Sequence, residues 1–126
     1  MRNVVRTGGF EEAGGYVRAV RVGDTIAVSG TAAVDSDGAA LHPGDAYAQT
    51  RDAFERGLSA LGELGGRLAD VTRTRIYLAP DVDWRMPIAA HRELFGDEPP
   101  ANTTLYVAGF IPPGVLVEIE LDAQIT

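Results

Sequence analysis

Three acidic side chains alternate with apolar ones close to the end of this sequence. In the segment VEIELDA, Glu118, Glu120 and Asp122 occupy every second position. Because successive side chains of a β-strand point to opposite faces, this spacing predicts a strand with one carboxylate face and one apolar face. Carboxylates in such a row can orient water or accept protons in catalysis, and they can equally well be solvated on an open sheet face.

A second segment offers the basic counterpart of this acidic row. In TRTRIYL, strand alternation places Arg73, Arg75 and Tyr77 on one face and Thr74, Ile76 and Leu78 on the other. A carboxylate face opposite an arginine face can line a cleft between subunits. The same residues can also form a purely structural ion-pair network, so the pattern leaves both alternatives open.

Elements on either side of these segments indicate a mixed helix and strand protein. Gly23-Asp24 joins two apolar runs, 16–22 and 25–29, as the two-residue turn of a β-hairpin. A weaker pattern predicts a third strand around a turn at 35–38. The remaining predicted elements are a helix from Asp45 to Gly65-Gly66, a strand over 70–79, a helix over 83–96 around Pro87, and strands over 102–109 and 115–123.

The order ββ(β)αβαββ predicts an α+β two-layer sandwich, in which two helices cover one face of a mixed sheet. Val115, Val117, Ile119 and Leu121 would pack under the helices, while the three carboxylates of the same strand point away.

Composition excludes several classes of function. The chain has 126 residues, of which 45% are hydrophobic, and a formal net charge of −7. The negative charge argues against binding to nucleic acid or to anionic membranes, which requires clustered Lys and Arg. There is no cysteine, and His42 and His91 lie far apart, so we expect neither a metal site nor another cofactor. The first residues lack an apolar signal segment, and we expect a cytoplasmic protein.

Several motifs along the whole chain resemble the RidA/YjgF superfamily, also known as endoribonuclease L-PSP or translation initiation inhibitor. They are GGYVRAVRVGDTIAVSG, Asp45 and Gln49 at the start of the first helix, LADVTRTRIYLAPDVDW, FGDEPPANTTLYVAGF and VEIELDA. The resemblance implies a single domain over 1–126 with the chorismate-mutase-like fold of the bacillus type. It also implies a homotrimer with three clefts between subunits, into which the carboxylates would face.

Deaminases of this superfamily hydrolyse reactive enamines and imines, such as 2-aminoacrylate, to a keto acid and ammonia. They bind the substrate carboxylate with the arginine of a Pro-Ala-Arg motif. The present sequence has Asn102 at that position and Thr31 in place of the glutamine of the motif Ser-Gly-Gln. An asparagine cannot form the bidentate, charge-assisted pair that a guanidinium forms with a carboxylate.

The resemblance suggests a set of site residues in this chain. Glu118 would act as general base or orient a water, and Arg75, together with Asn102, would bind a small anionic or polar ligand. The alternative for Arg75 is an ion pair with Glu118 or Glu120. Further ligand contacts are expected from Tyr16, Ser29, Gly30 and Thr104, and from His91 if its side chain reaches the cleft instead of playing a structural part.

Three functions remain open at this stage. The first is an enamine or imine hydrolase acting at a cleft between subunits, and the second is a noncatalytic trimer that binds or senses a metabolite. The third, ribonuclease activity or inhibition of translation, is disfavoured by the acidic charge.

Overall fold

The computed structural model describes all 126 residues and shows a six-stranded sheet with two long helices. The order of elements confirms the predicted α+β class. The strands are β1 (Arg2–Val5), β2 (Ala19–Val22), β3 (Thr25–Thr31), β4 (Val71–Leu78), β5 (Ala101–Tyr106) and β6 (Val117–Gln124). The helices are α1 (Phe10–Gly14), α2 (Ala46–Glu63) and α3 (Arg85–Phe95), with a 3-10 turn at Leu68–Asp70.

The sheet has the strand order β1-β2-β3-β6-β4-β5 and is mixed. Only β4 and β5 run parallel, and all other neighbours are antiparallel. The hairpin between β2 and β3 turns at Gly23, whose φ of 59° belongs to the left-handed region that glycine adopts without steric cost. No helix of the structure combines the length and the apolar character that crossing a bilayer demands.

Both long helices lie on one face of the sheet. Asp45 caps α2 by accepting a hydrogen bond from the Ala48 amide, and the chain leaves the helix where the Gly66 amide binds the Leu61 carbonyl. Pro87 is the third residue of α3, in the first turn, where no intrahelical donor is needed. The core under the helices includes the fully buried side chains Phe54, Leu61, Ile76, Leu78, Phe95, Val117, Ile119 and Leu121.

The opposite face of the sheet is called here the open face, because α2 and α3 both lie on the other side. Val117, Ile119 and Leu121 are fully buried under the helices, whereas the alternating Glu118 and Glu120 are only partly buried. The predicted two-faced character of this strand is therefore confirmed.

Two parts of the sequence prediction differ from the structure. The strand predicted around 35–38 is reduced to a single bridge between Val34 and Ala40, although the turn itself is present, with Gly38 at a φ of 82°. The weak strand character of the alanines on either side explains the difference. Conversely, β1 and α1 were not predicted, and β2 begins only at Ala19 because the segment before it bends around α1.

Candidate functional site

The open face carries a charged cluster on β4 and β6. Arg75 Nη1 lies 3.0 Å from Asp122 Oδ2 and 3.9 Å from Glu120 Oε1, and Tyr77 donates a hydrogen bond of 2.5 Å to Glu120 Oε1. The bond to Asp122 raises the pKa of Arg75, and the bond to Glu120 raises the pKa of Tyr77. The ion pair with Glu120 considered from sequence is thus present, with Asp122 as the nearer partner.

Glu118 is the one carboxylate of the row without a partner in the chain. It forms neither a hydrogen bond nor an ion pair, while Glu120 and Asp122 are held by Tyr77 and Arg75. Burial raises the pKa of Glu118, the charge of Arg18 opposes that rise, and Glu120 adds to it. A free carboxylate with a raised pKa is suited to accept and return a proton, because it binds protons closer to neutral pH than an exposed acid does.

A β-bulge at the end of β3 brings the backbone up to Glu118. Val28 pairs with Leu121 and Thr31 with Ile119, so Ser29 and Gly30 both lie opposite the single residue Glu120. A Cβ at position 30 would collide with Glu118 Oε1, and glycine there leaves room for the carboxylate. The Ser29 hydroxyl donates to the Val17 carbonyl at 2.6 Å and fixes the bulge to the start of β2.

Tyr16 lies beside this end of the sheet, after the short helix α1. Its ring is 40% exposed and packs over the backbone of Gly14, where a Cβ would come within 2.7 Å of the ring. The side chain therefore does not fill the sheet interior, and its hydroxyl is free to meet a ligand.

Arg18 belongs to the same end of the sheet and was missed by the sequence reasoning. Its guanidinium donates no hydrogen bond to the chain, although the side chain is only 18% exposed and Nε is buried. The nearest carboxylate oxygen, Glu11 Oε2, is 3.9 Å from Nε. Arg18 also lines a cleft of about 510 Å³ between the N-terminal segment and α2.

The other candidate residues form a separate group under α3, on the helix-covered face. Asn102 donates to Thr74 Oγ1 at 3.0 Å and accepts from the Thr104 hydroxyl at 2.8 Å, and Thr74 Oγ1 lies 2.7 Å from His91 Nε2. The imidazole packs against the rings of Phe54 and Phe95, which also contact each other, and burial lowers the pKa of His91. His91 also borders a second cleft of about 570 Å³ at the C-terminal end of α3.

One copy of the chain does not bring these two groups together. Glu118 of β6 pairs with Tyr77 of β4, and Asn102 of β5 pairs with Thr74, which lies three residues before Tyr77 in β4. Because β4 stands between β6 and β5, Glu118 and Asn102 are also two strands apart. These offsets separate the Cα atoms of Glu118 and Asn102 by roughly 14 Å, from the ordinary rise per residue and spacing of strands. Arg75 also points to the opposite face from Asn102, so the two do not share a ligand within one subunit.

No three His, Asp or Glu side chains converge in a geometry that would hold a metal ion. The two groups offer one free carboxylate, Glu118, and one partly buried imidazole, His91, whose pKa burial lowers.

The sequence is similar to a known protein family and to two curated proteins. The family profile described as Endoribonuclease L-PSP matches residues 8–125. Among curated relatives, the uncharacterized protein SCO2049 of Streptomyces coelicolor is 40% identical over 98% of this chain and 91% of its own. The 3-aminoacrylate deaminase RutC of Acinetobacter baylyi is 34% identical over 87% of this chain and 86% of its own.

A solved structure shows the same fold. Rv2704 of Mycobacterium tuberculosis, described as a member of the highly conserved YjgF/YER057c/UK114 family, superposes with a TM-score of 0.87. It is 44% identical, over 99% of this chain and 100% of its own.

Proposed function

Because this chain belongs to the endoribonuclease L-PSP family, the YjgF/YER057c/UK114 family of its solved relative, we propose that it hydrolyses a reactive enamine or imine. The relative named as a 3-aminoacrylate deaminase supports this class of reaction. The observation that carries the proposal is Glu118, a partly buried carboxylate with a raised pKa and no partner in the chain.

In the proposed reaction, Glu118 acts as general base on a water molecule. The water oxygen bonds to the imine carbon, its proton passes to Glu118, and the electron pair of the C=N bond moves to nitrogen. The nitrogen takes up the proton held by Glu118, which gives a neutral carbinolamine. The hydroxyl proton of the carbinolamine then passes through Glu118 to the nitrogen, and the C–N bond breaks as the C=O bond forms, which releases the keto acid and ammonia. Arg75 contributes by offsetting part of the negative charge of Glu120 and Asp122 beside Glu118.

We propose that the site is completed by a second copy of the chain in a homotrimer. Glu118 and the His91–Asn102 group lie on opposite faces and toward different strands, so only an arrangement of several copies could join them at one cleft. The open face supports this assembly, because apolar side chains flank its charged centre: Val4, Val22 and Leu105 are each more than a third exposed. Tyr16, Ser29, Gly30 and Thr104 would line the cleft.

A noncatalytic metabolite-binding trimer is the alternative, and Asn102 favours it. Its amide is already bonded to both Thr74 and Thr104, so it offers a ligand little in place of the arginine that the Pro-Ala-Arg motif supplies. In that case the cleft would hold a ligand without activating water.

Release of keto acid and ammonia from enzymatically generated 2-aminoacrylate, and from bulkier imino acids, tests the proposal. Glu118→Gln should lower kcat by about a hundredfold or more, because it removes the proton acceptor while keeping the shape. The rate should rise with pH through a pKa above the ordinary glutamate value, since Glu118 must be deprotonated to act.

Glu98→Gln, a change at an exposed acid in the loop before β5, is the matched control and should leave the rate unchanged. No turnover of any imine by the natural protein, together with turnover in Asn102→Arg, would favour the binding function over hydrolysis.

A further inference from the structure

One continuous line of hydrogen bonds connects the edge strand β5 to the inside of the fold. The Thr104 hydroxyl donates to Asn102 Oδ1 at 2.8 Å, and Asn102 Nδ2 donates to Thr74 Oγ1 at 3.0 Å. Thr74 Oγ1 lies 2.7 Å from His91 Nε2. Thr74 is completely buried, whereas Asn102 is exposed and Thr104 is partly exposed. An amide at the surface is therefore joined to an imidazole beneath α3.

The Thr74 hydroxyl fixes the direction of this line. It carries one proton, and a buried proton donor requires an acceptor. Because Thr74 Oγ1 already accepts from Asn102, the acceptor for its own proton is His91 Nε2. The proton of the neutral imidazole then resides on Nδ1, which bonds to no group of the chain and is not buried. The cleft of about 570 Å³ that His91 borders gives this nitrogen access to solvent.

A proton on His91 Nε2 would reverse the whole line. The imidazole would then donate to Thr74, and the Thr74 hydroxyl would have to donate elsewhere. The acceptor within reach is Asn102 Oδ1, once the amide has rotated to exchange its oxygen and nitrogen. In that order Asn102 Nδ2 would donate to Thr104, whose hydroxyl proton would turn outward. The two directions thus present different groups at the surface of β5.

The surroundings of His91 favour the observed direction. The imidazole packs against Phe54 from α2 and Phe95 from its own helix. Arg92 and Asp97 border the same cleft but are exposed. Burial lowers the pKa of His91, so the imidazole is uncharged at neutral pH and can accept from Thr74.

The observed direction decides what β5 presents to a ligand. Thr104 uses its proton on Asn102 and therefore has only lone pairs for a ligand, while Asn102 keeps one N–H that is not bonded to the chain. A carboxamide matches this pair because it has an N–H donor beside a carbonyl acceptor. A carboxylate has acceptors only and would face the lone pairs of Thr104.

From this geometry we infer that Thr74 and His91 are positioning residues. They hold Asn102 and Thr104 so that β5 binds an uncharged group with adjacent donor and acceptor, such as a carboxamide, in preference to a carboxylate. The inference rests on the proposed function in one respect, namely that Asn102 and Thr104 meet the ligand. It narrows the substrate class, since enamines or imines that carry a carboxamide should bind more tightly than the corresponding acids.

Nuclear magnetic resonance on the ¹⁵N-labelled full chain tests the order of the hydrogen bonds. The ring nitrogens of His91 should show an unprotonated Nε2 at about pH 7.5, and the side-chain amide signals of Asn102 should shift with the midpoint of His91 as the pH falls. Thr74→Val removes the hydroxyl and should abolish the shared midpoint, whereas Thr74→Ser should keep it. The amide of Asn3, on β1, is the internal control and should not follow His91.

Selectivity is measured on the same protein with propanamide, propanoate and N,N-dimethylpropanamide, from the shifts of the Asn102 and Thr104 signals. Propanamide should bind at least about threefold more tightly than the other two, because neither of them has an N–H donor. Thr74→Val should remove this preference. Thr103→Val, on the opposite face of β5, where Thr103 accepts from Arg73, is the matched control and should retain it.

Three results would overturn the inference. They are a neutral imidazole with its proton on Nε2, an Asn102 amide that ignores the titration of His91 or follows it equally in Thr74→Val, and propanoate that binds as tightly as propanamide. If Thr74→Val fails to fold in a thermal melt, His91→Gln decides the question, since the Asn102 signals should lose their midpoint in that variant.

Turnover assays separate this inference from the proposed function. Thr74→Val should raise KM for an imine that carries a carboxamide and leave kcat within about twofold, because the reaction takes place at Glu118. A protein that shows the shared midpoint and prefers propanamide but hydrolyses no imine would support the inference and contradict the hydrolase. Hydrolysis by a protein without that preference would do the reverse.

Discussion

Gly30 connects the local shape of β3 to the proposed chemistry. The bulge at Ser29 and Gly30 lets the backbone approach the Glu118 carboxylate, and the missing side chain provides the space that the carboxylate occupies. Glycine is therefore needed at position 30 because a side chain there would collide with Glu118. The backbone itself does not require glycine, since the φ of Gly30 is not in the left-handed region.

Gly30→Ala should separate the effect on the site from the effect on the fold. The new methyl group meets the mobile end of the Glu118 side chain, so the free energy of unfolding should change by no more than about 1 kcal/mol. The displaced carboxylate should lose its position, and we expect the rate of imine hydrolysis to fall by about tenfold or more.

Gly62→Ala, at a helical glycine with open space around its Cα, is the control and should leave the rate unchanged. Equal rates in the two variants would show that the position of Glu118 over Gly30 is not needed.

His91 is the end of a directed hydrogen-bond chain. Thr104 donates to Asn102, Asn102 donates to Thr74, and the Thr74 hydroxyl proton can then point to His91 Nε2. This order requires an unprotonated Nε2, which agrees with the pKa of His91 being lowered by burial. The chain thus holds His91 neutral in the folded protein.

A neutral buried histidine makes stability depend on pH. The folded-state pKa of His91 lies below the ordinary value of 6.5, so between the two values the unfolded chain binds more protons than the folded one. The contribution of His91 to stability is therefore present above that ordinary value and is lost as the pH falls through it. His91→Gln, which can still bond to Thr74, should show a smaller loss of stability between about pH 7.5 and pH 5.5 in urea unfolding.

The comparison variant is His42→Gln, in which the other, more exposed histidine is removed; it should retain the pH dependence attributed to His91. An identical pH dependence in His91→Gln and in the natural protein would contradict this account.

At the residue scale, strand alternation was sufficient to predict which charged side chains share a face. Arg75 and Tyr77 meet Glu120 and Asp122 as the period of two requires. Arg18 could not be found in that way, because its lack of partners depends on Glu11 and the packing of α1, which no short segment encodes.

At the scale of elements, one buried side chain ties α2 to the distant loop before β6 and to the segment that leads into α2. Gln49 is completely buried, accepts from the Leu116 amide, and donates to the carbonyls of Gly114 and His42. The amide group therefore satisfies backbone groups just before β6, the strand that carries Glu118.

Gln49→Leu keeps the approximate volume but removes all three bonds. Leaving these partly buried backbone groups unpaired should lower the free energy of unfolding by roughly 3 kcal/mol, measured by urea denaturation. Ser59→Ala, at an exposed position of the same helix, should change it by less than about 0.5 kcal/mol. If the free energy of unfolding fell no more in Gln49→Leu than in this control, water would be replacing the three hydrogen bonds of Gln49.

The long elements were predictable from sequence, whereas the short ones were not. The periodicity of α2 and α3 and the alternation of β4 and β6 span many residues and give an unambiguous pattern. β1 has four residues and α1 has five, so neither contains a full pattern. They form because contacts outside each short segment stabilise them: β1 pairs with β2, and the buried Glu11 of α1 accepts hydrogen bonds from Thr7, just after β1, and lies 3.9 Å from Arg18, just before β2.

At the scale of the whole molecule, the parallel pairing of β4 with β5 decides where the candidate residues lie. It puts Asn102 beside Thr74 on the helix-covered face, whereas Arg75 and Glu118 lie on the open face. Neither the neighbour nor the register of β5 is encoded in the local sequence, so sequence reasoning placed Arg75 and Asn102 at one ligand. A single cleft containing both groups requires more than one copy of the chain.

The open face itself indicates how copies would meet. Arg75, Glu120 and Asp122 at its centre are paired with one another, which lowers the cost of burying them. Leu105 is exposed on the edge strand β5 at one flank of this face. We expect sedimentation at micromolar concentration to give the mass of a trimer, and Leu105→Glu to weaken association by about tenfold or more, because it would bury an unpaired charge. Met86→Glu, at a similarly exposed apolar residue on α3, should remain trimeric. If the natural protein sedimented only as a monomer, there would be no cleft shared between copies, and the proposal that Glu118 and Asn102 contribute to one site would be wrong.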